Sequence, residues 1–196
     1  MKIGFEGLII LSTILLMSYM MYDTYFSSNL EKVKSTIDNK EYYVQYKEDS
    51  VEAANLIAKI RKRLITLVEH LIKTNPPDDP RIVMLKNNFN PDNLKEGEDK
   101  SGYTTYTINK GEEIVMCLRN KNKDTDNLVD INTMMFVILH ELSHIATESV
   151  GHTDEFWENF KWILEESINI GIYQKKDYNK KAVEYCGMTI NSSPLD

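Results

Sequence analysis

The sequence feature that most restricts what this chain can fold into is the run His140-Glu141-Leu142-Ser143-His144. On an α-helix, side chains four positions apart lie on one face, about 6 Å from each other. His140 and His144 can therefore reach one metal ion together, and Glu141 projects beside that face. Neutral imidazoles suit zinc, and a neighbouring carboxylate can act on a water that the zinc activates.

The residues around this run predict a helix that ends in a tight turn. Asn132 and Thr133 are expected to form the N-cap. Gly151 is expected to stop the helix, because only glycine turns readily into the left-handed conformation. His152 follows directly, so it can fold back towards the two helical histidines as a third ligand. Apolar residues occur at helical spacing within the segment: Met134, Met135, Val137, Ile138, Leu142 and Ile145.

Chain length, net charge and cysteine content limit the kinds of protein that this chain can be. The 196 residues are enough for one domain with an appendage, and the net charge of −7 argues against a nucleic-acid-binding surface spread over the whole molecule. The only cysteines are Cys117 and Cys186. This is not a disulfide framework, and it favours a reducing compartment while leaving one disulfide open.

The N-terminus predicts a membrane anchor. Residues 7–22 are uncharged and mostly apolar, and Tyr19 and Tyr22 suit a membrane interface. A signal peptide is disfavoured because no small-x-small cleavage site follows, and a buried helix is the remaining alternative. We therefore expect a single-pass transmembrane helix over residues 1–22 and membrane localisation of unknown orientation. A linker over 23–49 and a folded domain over 50–196 would follow.

Ser50 to Lys73 carries an apolar stripe at helical period and predicts a helix that Ser50 caps. The basic run from Lys59 to Arg63 on this helix is more typical of a solvated face than of a site for an anionic partner. His70 is expected to be a partly buried structural residue. Residues 41–46 predict a short strand.

Two strands, Tyr103 to Ile108 and Glu113 to Arg119, are predicted around the turn Asn109-Lys110-Gly111. The edge of this hairpin could hold an extended peptide by main-chain hydrogen bonds. After the histidines, Thr153 is expected to cap a helix that ends near Gly171.

The run His140 to His144, the position of His152 and the following Thr-Asp-Glu-Phe-Trp resemble the WLM family of metallopeptidases, which is related to the SprT-like family. The resemblance spans roughly Tyr103 to Tyr173 and includes the Lys110-Gly111 hairpin. It implies an α+β, zincin-like domain in which a small sheet or hairpin packs on helices. It also implies zinc held by His140, His144 and His152, with Glu141 as general acid and base. The overall form also resembles uncharacterised proteins of large DNA viruses.

The favoured function is thus a zinc metalloendopeptidase that acts on a protein or peptide, with zinc-activated water and Glu141 as general base. Wss1-type members of the family cleave proteins crosslinked to DNA, which gives one alternative. A non-catalytic, membrane-anchored protein stabilised by zinc is another. A glutamate, Glu165 or Glu166, could replace His152 as third ligand. The oxyanion-stabilising group could be Tyr173, Tyr178 or Tyr185, and the oligomeric state is open.

Overall fold

The computed structural model of the chain describes residues 4–26, 29–98, 104–120 and 127–196. Its helices are α1 (Phe5–Phe26), α2 (Ser50–Thr74), α3 (Pro80–Asn88), α4 (Ile131–Ala146) and α5 (Asp154–Asn169). Its strands are β1 (Leu30–Lys34), β2 (Glu41–Gln45), β3 (Leu94–Glu96), β4 (Tyr106–Ile108), β5 (Glu113–Met116), β6 (Val183–Tyr185) and β7 (Met188–Ile190). The predicted mixed α+β class is confirmed.

The central element of the core is α4, which contacts α2, α3, α5 and β4. Its inward face is fully buried at Met134, Met135, Ile138 and Leu142. The N-cap is Asp130, whose side chain accepts hydrogen bonds from the backbone N–H groups of residues 132 and 133. The residues predicted as the N-cap, Asn132 and Thr133, therefore lie in the first turn of the helix instead. The carboxylate of Asp130 suits the N-cap position because it also interacts favourably with the positive end of the helix dipole.

A three-stranded sheet in the order β3-β5-β4 lies against this helix. β3 runs parallel to β5, and β4 runs antiparallel to it, which confirms the predicted hairpin and leaves β4 at the edge. Tyr103, the predicted first strand residue, lies outside the described residues. The hairpin turn needs Gly111, which has φ +116°, because a Cβ there would lie 2.4 Å from the backbone oxygen of Asn88.

The predicted helix over Ser50 to Lys73 is confirmed as α2. Its buried side chains form the expected stripe: Ala54, Ile57, Ile60, Leu64, Leu67, Val68 and Leu71. Ser50 does not cap it, since the N-cap position belongs to Asp49. Two residues of the basic run make contacts within the fold, as Arg61 pairs with Asp92 at 2.7 Å and Arg63 donates to the carbonyl of Ile172 at 2.9 Å.

Residues 29–45, within the stretch assigned to a linker, contain the antiparallel β1–β2 hairpin. The strand predicted over 41–46 is confirmed as β2. The hairpin contacts α2 and β3. The backbone N–H of Gln45 donates to the buried carboxylate of Glu96, which is also 2.9 Å from the guanidinium of Arg119. The hydrogen bond from Gln45 to Glu96 thus joins the hairpin to the sheet.

The prediction of a transmembrane helix and of membrane localisation is wrong. Within the part of the chain that the structure describes, no helix has both the length and the hydropathy needed to cross a membrane. Residues 1–3 of the predicted anchor lie outside that part. The physical reason is length, because the uncharged run between Glu6 and Asp23 covers only residues 7–22, whereas a bilayer requires about 20 apolar residues.

The two cysteines form a disulfide, Cys117–Cys186, between residues separated by 69 positions. It joins the segment after β5 to the β6–β7 turn. The single disulfide that the sequence left open is therefore present.

Candidate metal centre

The three histidines of the motif region converge in space. His140 and His144 lie one turn apart on α4, and His152 lies between α4 and α5. One ring nitrogen from each residue lies within 4.8 Å of the other two, and the Nε2 atoms of His140 and His152 are 3.0 Å apart. Such a group of imidazole nitrogens could hold a divalent ion such as zinc. The geometry agrees with the predicted ligand set, whose role as ligands stays a prediction.

The helix that carries the motif ends earlier than the sequence predicted. α4 ends at Ala146, with Thr147 as its C-cap, and not at Gly151. Gly151 does adopt the left-handed conformation, with φ +87°, one residue before His152. His152 therefore reaches the other two rings from a segment outside the helix.

Aromatic side chains of α5 pack against all three rings. Phe156 stacks on His144 with centroids 4.3 Å apart and meets His140 edge-on at 4.8 Å. Trp157 stacks on His152 at 5.7 Å. Phe156 is fully buried, whereas Trp157 is 44% exposed because its ring covers His152 from the outside. These contacts restrict the orientations of the imidazoles.

Burial keeps His140 and His144, the two partly buried histidines, neutral near pH 7. It lowers the pKa of His140 to about 3, with a further contribution from the charges of His144 and His152. It lowers the pKa of His144 to about 4, again with help from His152 and also from Lys110. A metal competes with protons for imidazole nitrogens, so rings that stay neutral near pH 7 are ready to bind it.

Glu141 is buried beside the histidines. Only 6% of its surface is exposed, and its carboxyl group accepts a hydrogen bond from the backbone N–H of Thr107 on β4. Burial raises the pKa of Glu141 to about 8, against the lowering effect of that hydrogen bond. A carboxyl group with a strongly raised pKa in a cleft is typical of a functional site.

The histidines and Glu141 face a cleft of about 870 Å³. Edge strand β4 and the two residues before it form one wall through residues 104–107, and the β6–β7 hairpin with residues 191–192 contributes another. Phe136, Val137, Met188 and Ile190 give part of the lining an apolar character. The contribution of residues 188–192 was not predicted from the sequence, since no local pattern connects them with a motif so distant along the chain.

The alternative glutamate ligands are directed elsewhere. Glu166 lies 2.9 Å from Nε2 of His70 on α2, and Glu165 is exposed. The contact with Glu166 agrees with the structural role expected of His70. Among the described residues, the group able to hold a metal contains neither glutamate.

Of the three candidate tyrosines, only Tyr185 lines the cleft. Its hydroxyl donates to the carbonyl of Cys117 at 2.9 Å and makes a short contact with the hydroxyl of Thr105, which accepts from the N–H of Cys117 at 3.0 Å. The Tyr185 proton is therefore used within the fold. Tyr173 and Tyr178 are buried against a phenylalanine of α4.

Fold and site together define an α+β protein with a candidate three-histidine metal centre in a cleft. Residues 37–194 match the model of the WLM domain. The chain therefore belongs to the WLM family, as the motif resemblance predicted.

Uncharacterised viral proteins are similar to this chain. Protein R325 of Acanthamoeba polyphaga mimivirus is 36% identical over 171 residues, which cover 86% of each chain. Protein 136R of Invertebrate iridescent virus 6 is 28% identical over 180 residues, covering 87% of this chain and 93% of the relative. Among solved structures, the crystal structure of Wss1 from Saccharomyces cerevisiae is similar at 23% identity and a TM-score of 0.48, covering 65% of this chain and 85% of the solved chain.

Proposed function

We propose that the chain is a zinc-dependent metallopeptidase. His140, His144 and His152 would hold the zinc, and Glu141 would act as general base. The observation that carries the proposal is that three ring nitrogens within 4.8 Å of one another share a cleft with a buried carboxyl group. Membership of the WLM family supports the same activity.

The side chains fit zinc in their chemistry. Imidazole nitrogens match the preference of zinc, burial keeps His140 and His144 neutral at pH 7, and three protein ligands leave a position for a small molecule, as in catalytic zinc sites. Zinc at such a site supplies Lewis-acid activation of water and of a peptide carbonyl group. The pKa of Glu141, raised to about 8 by burial, would fall beside a dication because an opposite charge favours the ionised carboxylate.

The chain's own groups then have separate tasks in peptide hydrolysis. Glu141 takes a proton from the attacking water and delivers it to the leaving amine nitrogen. β4 pairs with β5 on one side only, and residues 104–107 line the cleft. An extended substrate can therefore lie along β4 through main-chain hydrogen bonds, beside Glu141.

Glu141 also distinguishes an enzyme from a protein in which the metal has only a structural role. A carboxyl group that is 6% exposed and whose pKa no cationic side chain lowers destabilises the metal-free fold when it ionises. A purely structural zinc site has no use for such a group, whereas peptide hydrolysis needs a general base within reach of the attacking water.

Cleavage of proteins crosslinked to DNA is a possible specialisation that family membership suggests. The net charge of −7 and the engagement of Arg61 and Arg63 in contacts within the fold weaken the case for a DNA-binding surface on α2. DNA dependence is therefore included in the test as a separate variable.

The test compares the wild-type chain with Glu141→Gln on an unfolded protein substrate, with and without single-stranded DNA. Zinc content is measured on both proteins by atomic absorption. We expect comparable zinc in the two proteins and cleavage by the wild type alone. Glu158→Gln, which changes an exposed glutamate of α5, is the matched control and should cleave like the wild type.

Equal cleavage by wild type and Glu141→Gln would contradict the role of Glu141 as base. Cleavage unaffected by removal of zinc with a chelator would contradict the metallopeptidase itself. Cleavage only in the presence of DNA would show that the peptidase depends on DNA, as the crosslink specialisation requires.

A further inference from the structure

The segment 147–152 determines where His152 lies. His140 and His144 are fixed by the helix that carries them, but His152 is exposed and follows a non-helical stretch. Its distance from the other two rings therefore depends on how firmly that stretch is held. Two charged residues from other elements contact it.

Lys110 contacts the segment through backbone oxygen atoms. It lies in the β4–β5 turn, and its ammonium group donates to the carbonyl groups of Thr147 at 2.5 Å, Glu148 at 2.6 Å and Ser149 at 3.1 Å. The last carbonyl groups of a helix have no partner within it. One ammonium group with three donors thus satisfies three successive carbonyl groups just after α4 ends.

Glu155 contacts the same segment through backbone N–H groups. Its two carboxylate oxygens accept from the N–H groups of Glu148 at 3.1 Å and Ser149 at 3.2 Å. A hydroxyl contact joins the middle of the stretch to the residue that follows it, since the hydroxyl groups of Ser149 and Thr153 are 2.6 Å apart. The peptide groups at 148 and 149 are therefore held by a cation from the hairpin and an anion from α5.

We propose that Lys110 and Glu155 are positioning residues that hold segment 147–152 so that His152 completes the metal centre. This inference rests on the metal site of the proposed function. Holding a ligand in its bound position before the metal arrives lowers the entropy lost on binding. Removing either side chain therefore weakens metal binding without removing a ligand.

Because Lys110 is positively charged, the direction in which its replacement changes zinc affinity tests the proposal. An ammonium group close to a cation site opposes binding of the cation by Coulomb repulsion. If Lys110 acted through charge alone, replacing it with an uncharged residue would strengthen zinc binding. If it acts through position, the same replacement weakens zinc binding.

The experiment measures the zinc dissociation constant of the full chain by competition with a chromophoric chelator. Lys110→Met keeps the length of the side chain and removes the donors, and Glu155→Gln removes the charge while keeping the shape. We expect zinc binding about 10- to 100-fold weaker in each variant, the range typical when partners that orient metal ligands are lost. Lys175→Met is the control, because Lys175 also donates to a backbone carbonyl, that of Leu195 at 2.6 Å, outside the segment.

A second measurement separates positioning from general loss of stability. Amide hydrogen exchange at residues 148 and 149 of the metal-free chain should be faster in both variants, with exchange in the core of α4 unchanged. Lys110→Arg should recover part of the zinc affinity. Affinities within twofold of the wild type for both variants, or tighter binding by Lys110→Met, would overturn the proposal.

Peptidase activity and the positioning role are tested by separate measurements. A wild-type chain that binds zinc but cleaves nothing would refute the peptidase while leaving the positioning role testable by affinity. A wild-type chain without measurable zinc binding would refute the metal centre and the positioning role together.

Discussion

Removal of the Cys117–Cys186 disulfide should lower the free energy of unfolding by a measurable and calculable amount. The two residues are separated by 69 positions, so the crosslink restricts a long loop of the unfolded chain. Loop-closure entropy for that length corresponds to about 4 kcal/mol at 25 °C. The perturbation is the double replacement Cys117→Ser with Cys186→Ser.

A smaller effect opposes this loss. Cys186 lies in the β6–β7 turn with φ +49°, followed by Gly187 with φ +83°. A side-chain-bearing residue in the left-handed region costs about 1 kcal/mol, and the turn can relax part of that strain once the crosslink is gone. We therefore expect a net loss of about 3 kcal/mol for the double variant.

The assay is equilibrium unfolding in urea, with and without a phosphine reductant that contains no thiol. The wild type in reductant should match the double variant, because reduction breaks the same crosslink. The double variant itself should not respond to the reductant, which controls for effects elsewhere in the chain. A loss below about 1 kcal/mol in both comparisons would refute the loop-entropy argument for this chain.

Three further changes test the buried groups and the hairpin turn. Because burial raises the pKa of Glu141 to about 8, the unfolded metal-free chain ionises this carboxyl group at pH 7 and the folded chain does not. Glu141→Gln should therefore raise the free energy of unfolding by about 3 kcal/mol at pH 7 and by little at pH 4, where both states are protonated; an equal effect at both pH values in urea unfolding would contradict this cause. Glu96→Gln should lower the free energy of unfolding by about 3 kcal/mol, because Glu96 is fully buried beside Arg119. If Glu96→Gln lowers the free energy of unfolding by the same amount in a chain that already carries Arg119→Met, the ion pair is not the reason. Gly111→Ala should lower the melting temperature more than Gly171→Ala, since both glycines have positive φ but only the first would place its Cβ 2.4 Å from a backbone oxygen; equal losses would contradict the steric explanation.

Local patterns account for the features that the sequence predicted correctly. The apolar stripe of α2, the Thr153 cap of α5 and the β4–β5 hairpin each depend on residues that are close in the chain. The N-cap of α4 was misplaced by two residues, because Asp130 competes successfully with Asn132 for the same role. Local rules therefore gave the elements and left their ends uncertain by a few residues.

Contacts between distant residues account for what the sequence did not predict. The β6–β7 hairpin reaches the cleft because Tyr185 bonds to Cys117 and because the disulfide holds the adjacent turn. The β1–β2 hairpin joins the domain through the bond from Gln45 to Glu96. Neither connection has a periodic signal, since each depends on one or two side chains that meet only after folding.

The candidate metal centre depends both on local sequence patterns and on contacts between residues that are distant in the chain. His140 and His144 lie on a helix whose rotation is fixed by fully buried neighbours such as Ile138 and Leu142. Helical spacing alone was therefore enough to place these two rings together. Gly151 suggested that the third ring would follow a simple helix stop, but the chain leaves the helix earlier because backbone groups after Ala146 bond to side chains of the hairpin and of α5. Apolar packing thus orients the two helical rings, whereas polar contacts from outside the motif hold the backbone segment that carries the third ring. Only the first of these follows from the order of residues around the motif.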